Sequence, residues 1–218
     1  MRVEATDNYG PRRDGRRPEL VVLHYTAMTG GPERVVDVFR DPARAVSAHY
    51  VLGTDGAVIA MVPEDRRAWH AGAASWRGCT DVNSASIGVE LCNDGASPFA
   101  ARQMDALEAL LADIMDRHRI PPAGVIGHSD CAPGRKIDPG PRFDWRRLAR
   151  RGLAVLPRSG GNGEDDFFCN IRRFGYTAHV GDDMLLAAFR LRFRPGVAGP
   201  LSDADRALAA GLPVGNFG

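Results

Sequence analysis

No uninterrupted apolar stretch in this sequence approaches the roughly 20 residues with which a helix crosses a bilayer, so no membrane span is expected. The first twenty residues also lack such a run. Met1 to Leu20 are polar and carry Arg2, Arg12, Arg13, Arg16 and Arg17, unlike a secretory signal, and the expected location is the cytoplasm, with the periplasm as the alternative. An excess of one charge is missing as well: 28 Lys and Arg stand against 27 Asp and Glu, so no global field favours nucleic acid or an anionic membrane surface. The four cysteines, at 79, 92, 131 and 169, include no Cys-x-x-Cys pair. They fit reduced, mostly buried thiols better than a disulfide framework or a structural zinc knot. There is no internal repeat outside the elements read below and no low-complexity tract.

What is present is enough apolar sequence, in 218 residues, for one large domain or for a medium and a small one. Glu19 to Tyr25 is a nearly continuous aliphatic run, the pattern of a strand buried on both faces, with His24 near its end. Pro32 can open a short helix to Arg40. Val46 to Leu52 and Ala57 to Val62, joined by Thr54-Asp55-Gly56, read as a hairpin. Ser86 to Cys92 alternates as a strand, with Ile87, Val89 and Leu91 on one face and Gly88, Glu90 and Cys92 on the other. Pro98 opens a long helix to about Arg119, striped by Met104, Leu107, Leu110, Leu111, Ile114 and Met115; His118 at its end favours the helix dipole and has no further role. Val125-Ile126 is a short strand, and Asp144 caps a last short helix. The expected architecture is α/β, a mixed central sheet flanked by helices over residues 1–155.

The glycines at 160, 161 and 163 mark 156–166 as a linker. Beyond it, 167–218 reads as a small three-helix domain. Phe167 to Phe174 ends at Gly175; Asp182 to Phe193 turns Met184, Leu185, Ala188 and Phe189 inward; Ser202 and Asp205 form a capping box for the third helix, which Gly211 closes. This domain has no dense set of ionisable residues in apolar sequence, so binding is expected of it rather than catalysis.

Residues 127–140, Gly-His-Ser-Asp-Cys-Ala-Pro-Gly-Arg-Lys-Ile-Asp-Pro-Gly, are too rich in Gly and Pro for a helix and carry an imidazole, a guanidinium, an ammonium and carboxylates. Such a loop is either a solvated connection or a site. His128 and Asp138 can bind zinc, Cys131 is as eligible by residue type, and Lys136 shares a face with Asp138 if the chain is extended there. His24 alone reads more readily as a hydrogen-bonded core residue than as a ligand. Glu90, a carboxylate in an apolar strand, is costly unless it is paired or works as an acid or base. Together His24, His128 and Asp138 would form a three-ligand zinc set with an open position; Glu90 would move protons and Lys136 would stabilise an oxyanion, the parts of amide hydrolysis.

Five ordered motifs sharpen this reading. Val-Leu-His-Tyr-Thr-Ala at 22–27, Ser-Ala-His-Tyr at 47–50, Ala-Trp-His-Ala-Gly at 68–72, Asn-Ser-Ala-Ser-Ile-Gly-Val-Glu-Leu at 83–91 and Gly-His-Ser-Asp-x-Ala-Pro-Gly-Arg-Lys-x-Asp-Pro-Gly-Pro at 127–141 resemble the zinc-dependent N-acetylmuramoyl-L-alanine amidases of the AmpD and AmiD type. The resemblance implies zinc on His24, His128 and Asp138, with Glu90 and Lys136 at the family's catalytic carboxylate and lysine, and it makes Cys131 incidental. The implied reaction cleaves the amide between N-acetylmuramic acid, or its 1,6-anhydro form, and L-alanine, in cell-wall turnover or recycling. Related phage and animal enzymes place a Tyr where this chain has Ala48, so Glu90 is expected to carry the proton work alone. Residues 167–212 resemble, more weakly, a three-helix peptidoglycan-binding module. The expected partners are peptidoglycan fragments (muropeptides) or the sacculus, met by a monomer; Tyr25, Trp69, His70, Asn83 and Arg135 are the expected substrate contacts. Two other readings make different predictions. A non-catalytic peptidoglycan receptor on the same fold would bind without releasing peptide, and a general zinc peptidase would cleave peptides that lack the sugar.

Overall fold

The aliphatic run at the start of the chain becomes the middle of a sheet. In the computed structural model, which describes residues 1–158 and 166–213, the strands are β1 (Arg2–Val3), β2 (Tyr9–Pro11), β3 (Leu20–Tyr25), β4 (Tyr50–Leu52), β5 (Val58–Ala60), β6 (Arg66–Ala68), β7 (Ser86–Leu91) and β8 (Val125–Gly127). Six of them form a mixed sheet in the order β1-β5-β4-β7-β3-β8, in which β4 and β5 are antiparallel and the other neighbours parallel; β2 and β6 make a separate antiparallel pair. The α-helices are α1 (Gly31–Arg40), α2 (Val82–Ala85), α3 (Ala101–His118), α4 (His128–Cys131), α5 (Trp145–Arg150), α6 (Phe167–Phe174), α7 (Asp182–Phe193) and α8 (Asp203–Ala210).

Alternation along β3 divides the core. Val21 and Leu23 point to the face covered by α3, where they join Ile87, Val89 and Leu91 and the Met104, Leu107, Leu110, Leu111 and Ile114 stripe. Leu20 and Val22 point the other way, into a cluster with Ile126, Phe167, Ile171, Phe174 and Phe189. His24 lies on this second face, two residues beyond Val22 and past the helices' cover. Both faces of β3 are therefore buried for most of its length, which is why its sequence shows no polar alternation until its end.

The C-terminal helices do not stand apart from the sheet. Their aromatic residues share one hydrophobic cluster with β3 and β8, and α7 is buried on more than one side, including Arg190 and Arg192. Arg190 closes on Asp205 at the start of α8 (2.6 Å). Arg192 reaches the other way, to Asp130 in α4 (2.7 Å), with its guanidinium 4.3 Å from the Trp145 ring centroid. The Tyr176 hydroxyl donates to the other Asp130 oxygen, and Gly127 N–H donates to Oδ2 (2.8 Å). Residues 159–165, most of the expected linker, and the tail 214–218 lie outside the described residues.

Several boundaries differ from the sequence reading. The 127–140 segment is not helix-free: α4 makes one turn at 128–131, held by Asp130 accepting from Gly127 N–H, a local cap that offsets the surrounding Gly and Pro. The hairpin strands are shorter than expected: β4 begins at Tyr50, and upstream of it Ser47 N–H turns to Trp69 O (3.1 Å) instead of a sheet neighbour. Pro98 precedes the long helix by three residues. Met184 is 42% exposed rather than inward, and its side chain lies over Gly134. His118 does more than favour a helix dipole, since its Nε2 is 2.7 Å from Glu64.

Candidate active site

In open parallel sheets, ligands collect beyond the carboxyl ends of the strands, and that is where the polar residues of this core converge. His24 is near the end of β3 and is the register partner of Glu90 near the end of β7, so both side chains emerge on the same face. His128 follows immediately after β8. The turn after α4 returns Lys136 and Asp138, and Ser129 N–H donating to Asp138 O (2.9 Å) ties that return to the His128 turn.

Three donor atoms meet there. His24 Nδ1 and His128 Nδ1 are 3.0 Å apart, and Asp138 Oδ2 is 2.9 Å from the first and 3.0 Å from the second. All three residues are buried. His128 Nε2 donates to Ala71 O at 3.0 Å, which fixes its tautomer and leaves a lone pair at Nδ1 in a neutral ring. Burial, with His128 adding, pulls the His24 pKa down to about 4 against the opposing effect of Asp138. Burial works against ionised Asp138, but its contacts with His128 and His24 outweigh it and hold the carboxyl well below the usual range. A carboxylate and imidazole lone pairs facing one another within 3.0 Å repel unless a cation or proton lies between them. A tetrahedral zinc site with bonds of about 2.0–2.1 Å has ligand edges of roughly 3.3 Å, close to this triangle. The donor set fits a metal ion.

Glu90 lies in the same cleft, of about 600 Å³, with one carboxylate oxygen, Oε2, buried and unbonded. Burial first, and Asp138 second, raise its pKa to about 8, while Lys136 acts in the opposite direction. Lys136, Ile137 and Asp138 all line the cleft, and Ile137 is 59% exposed. Cys131 is buried with its thiol pushed up by desolvation; its Sγ is against His128 O (3.4 Å), and it is outside the donor triad.

Of the expected substrate contacts, Tyr25, Trp69 and Arg135 line the cleft. The Tyr25 ring is seated between Gly95 and Gly140, where an added Cβ would stand 3.1 Å from its carbons. Arg135 donates to the Ala71 and Ala73 carbonyls from the cleft wall. Asn83 is different: it is buried in α2, outside the cleft lining, and its Oδ1 accepts from His70 N–H (3.1 Å) and Ala71 N–H (2.8 Å). It holds the 69–72 loop in place. His70 lines the cleft, but both ring nitrogens are engaged within the protein, Nδ1 with His24 and Nε2 with Ser86. Burial, with His24, His49 and His128 adding, depresses its pKa well below the ordinary value. The sequence reading missed Ser86, although it falls on the 86, 88, 90 face of its strand, and missed Asp130, Tyr176 and Arg192, for which no local pattern pointed to a partner.

A model of the N-acetylmuramoyl-L-alanine amidase family matches residues 14–141, which span all five motifs, the donor triad and Glu90. The chain belongs to the N-acetylmuramoyl-L-alanine amidase family. The amidase is 33% identical to N-acetylmuramoyl-L-alanine amidase AmiD of Escherichia coli, over 90% of this chain and 82% of the relative. It is 36% identical to 1,6-anhydro-N-acetylmuramyl-L-alanine amidase AmpD of Enterobacter cloacae, over 63% of this chain and 82% of the relative. Among solved structures, E. coli AmiD in complex with the substrate anhydro-N-acetylmuramic acid-L-Ala-D-γ-Glu-L-Lys superposes with a TM-score of 0.81 at 30% identity, covering 92% of this chain and 90% of that one. AmpDh3 of Pseudomonas aeruginosa gives a TM-score of 0.82 at 29% identity, with 92% of each chain covered. Both superpositions extend past the catalytic sheet of this amidase into α6–α8, whereas the AmpD structure covers 71% of the chain.

Proposed function

We propose that His24, His128 and Asp138 hold a zinc ion with which the chain hydrolyses the amide between N-acetylmuramic acid, including its 1,6-anhydro form, and L-alanine of muropeptides. The convergence of the three donor atoms within 3.0 Å, beside the unbonded oxygen of Glu90, carries this reading. Zinc in such a site lowers the pKa of water and polarises a carbonyl oxygen. Glu90 takes the proton of the attacking water at its carboxylate and returns it to the departing L-alanine nitrogen. Burial and the nearby Asp138 raise its pKa, which strengthens the carboxylate as the acceptor of that proton. Lys136 presents its ammonium to the oxygen that gains charge in the transition state. Tyr25 and Trp69 wall the cleft against water, and Arg135 offers a guanidinium edge to a stem-peptide carboxylate. The family's AmiD and AmpDh3 structures with anhydromuramyl peptides support muropeptides as the class bound. We also assign the monomer as the working unit and 167–218 as a peptidoglycan-binding region.

Purified protein is incubated with anhydromuramyl tripeptide and, separately, with the same tripeptide lacking the sugar, and products are weighed by mass spectrometry. Release of free tripeptide from the sugar-bearing substrate, with the bare peptide left intact, is the expected result. Cleavage inside the bare peptide, or no release at any zinc level, contradicts it.

A further inference from the structure

The hydrogen bonds behind His24 have one direction, set at their far end. The Ser86 hydroxyl lies 2.6 Å from Val82 O, which can only accept, so the hydroxyl hydrogen is directed there. Ser86 Oγ, 3.2 Å from His70 Nε2, then receives the hydrogen of that nitrogen. A neutral imidazole with its hydrogen on Nε2 presents a lone pair at Nδ1. His70 Nδ1 is 3.0 Å from His24 Nε2, so His24 donates from Nε2 and turns a bare Nδ1 toward His128 and Asp138. Val82 O, Ser86, His70 and His24 thus form a relay with each hydrogen pointing away from the donor triad.

The ring of His70 has a seat made for it. On the strand face between Ser86 and Glu90, position 88 carries no side chain, and a Cβ added to Gly88 would fall 2.5 Å from His70 Cγ and Cδ2. The backbone at Gly88 is not in the left-handed region, so the space for the ring explains the glycine there. Asn83 fixes the loop from below, through the His70 and Ala71 amides. His24 and His70 meet edge to face, with centroids 5.1 Å apart at 80°.

We propose that His70 is a positioning residue that, backed by Ser86 and seated on Gly88, fixes His24 in the tautomer whose Nδ1 lone pair faces the metal. The inference rests on the reading of His24, His128 and Asp138 as a metal site. Outer partners of metal-bound histidines set ring orientation and ligand basicity, and losing one typically costs about 10–100-fold in metal affinity.

Wild-type, His70→Phe, His70→Asn and Gly88→Ala proteins are checked for native circular dichroism and titrated with zinc against a chromophoric chelator; KM for anhydromuramyl tripeptide is then measured at saturating zinc. Phe keeps the ring's bulk without an acceptor, Asn returns an amide oxygen near the Nδ1 position, and Gly88→Ala displaces a chemically intact ring. Zinc affinity is expected to fall about 10–100-fold in His70→Phe and Gly88→Ala and to be largely restored in His70→Asn, with KM within about twofold throughout. Wild-type zinc affinity in His70→Phe, or unchanged affinity with a raised KM, the mark of a substrate contact, overturns the relay. If His70→Phe does not fold, the Gly88→Ala and His70→Asn pair decides by the same criteria. A wild-type protein that binds no zinc overturns the metal reading itself, a result distinct from equal binding by wild type and variants.

Discussion

At the scale of single residues, Glu90 and Lys136, the proposed proton carrier and oxyanion donor, are opposite in setting, the first within an apolar strand and the second exposed on a loop. Glu90 is a carboxyl on an apolar strand, with an unbonded buried oxygen and a pKa raised to about 8 by burial and Asp138. Replacing it by Gln keeps the shape and removes the base. Glu90→Gln is expected to retain zinc while kcat falls by about 10²–10⁴-fold; metal analysis and initial rates on the same sample check this, and wild-type turnover contradicts the assignment. Lys136 is the only lysine in the sequence, every other long basic side chain being Arg. A compact ammonium is thus used once, at the cleft. Position 90 was legible from alternation, because a carboxylate on a strand of Ile, Val and Leu needs a reason. His70 and Asn83 were less so. Their residue types suit a substrate as well as they suit an internal relay, and only the distances to Ser86, His24 and the 70–71 amides separate the two.

At the scale of elements, a continuous apolar run marked β3, alternation marked β7, helical spacing marked α3 and α7, and stop or capping signals marked α6 and α8, so periodicity served the longer elements best. It failed where a local bond overrides composition. The α4 turn exists in a Gly- and Pro-rich segment because Asp130 caps it, and upstream of β4 Ser47 N–H is taken by Trp69 O (3.1 Å). The end of α3 shows the same effect with a charge. Burial alone would raise the Glu64 carboxyl, yet hydrogen bonds from Arg117, His118 and Tyr50 outweigh it and hold the pKa at about 2, against 4.5 for a free side chain. Between these two values the unfolded chain binds more protons than the folded one, so this contribution to stability is complete above pH 4.5 and disappears as pH falls toward 2. Urea denaturation at a series of pH values is expected to show a shallower acid loss for Glu64→Gln than for wild type. Parallel curves across that window would show that the Glu64 cluster does not anchor α3.

At the scale of the whole molecule, the C-terminal helices and the catalytic sheet are parts of one packed body. Glycines at 160, 161 and 163 suggested separation, but composition between two units says nothing about the faces they bury. Phe167, Ile171, Phe174 and Phe189 lie against Leu20, Val22 and Ile126, and Arg192 closes a buried ion pair on Asp130, two residues from His128. Removing one member of such a pair costs roughly 3–5 kcal/mol, because the other charge stays buried. Deleting residues 160–218 would uncover the sheet as well as remove any binding face, so exposed substitutions on α6–α8 are the better probe of peptidoglycan affinity. The proposed metal site, with His24 on β3 and His128 in a turn that α7 braces, is therefore best tested in the full chain. Its most direct test measures zinc content and peptide release on a single preparation of that full chain. About one zinc per chain is expected, lost together with release of peptide from anhydromuramyl tripeptide on chelation, both restored by added zinc, and both absent in Asp138→Ala. Peptide release by fully chelated protein, or undiminished zinc binding in Asp138→Ala, would contradict that expectation.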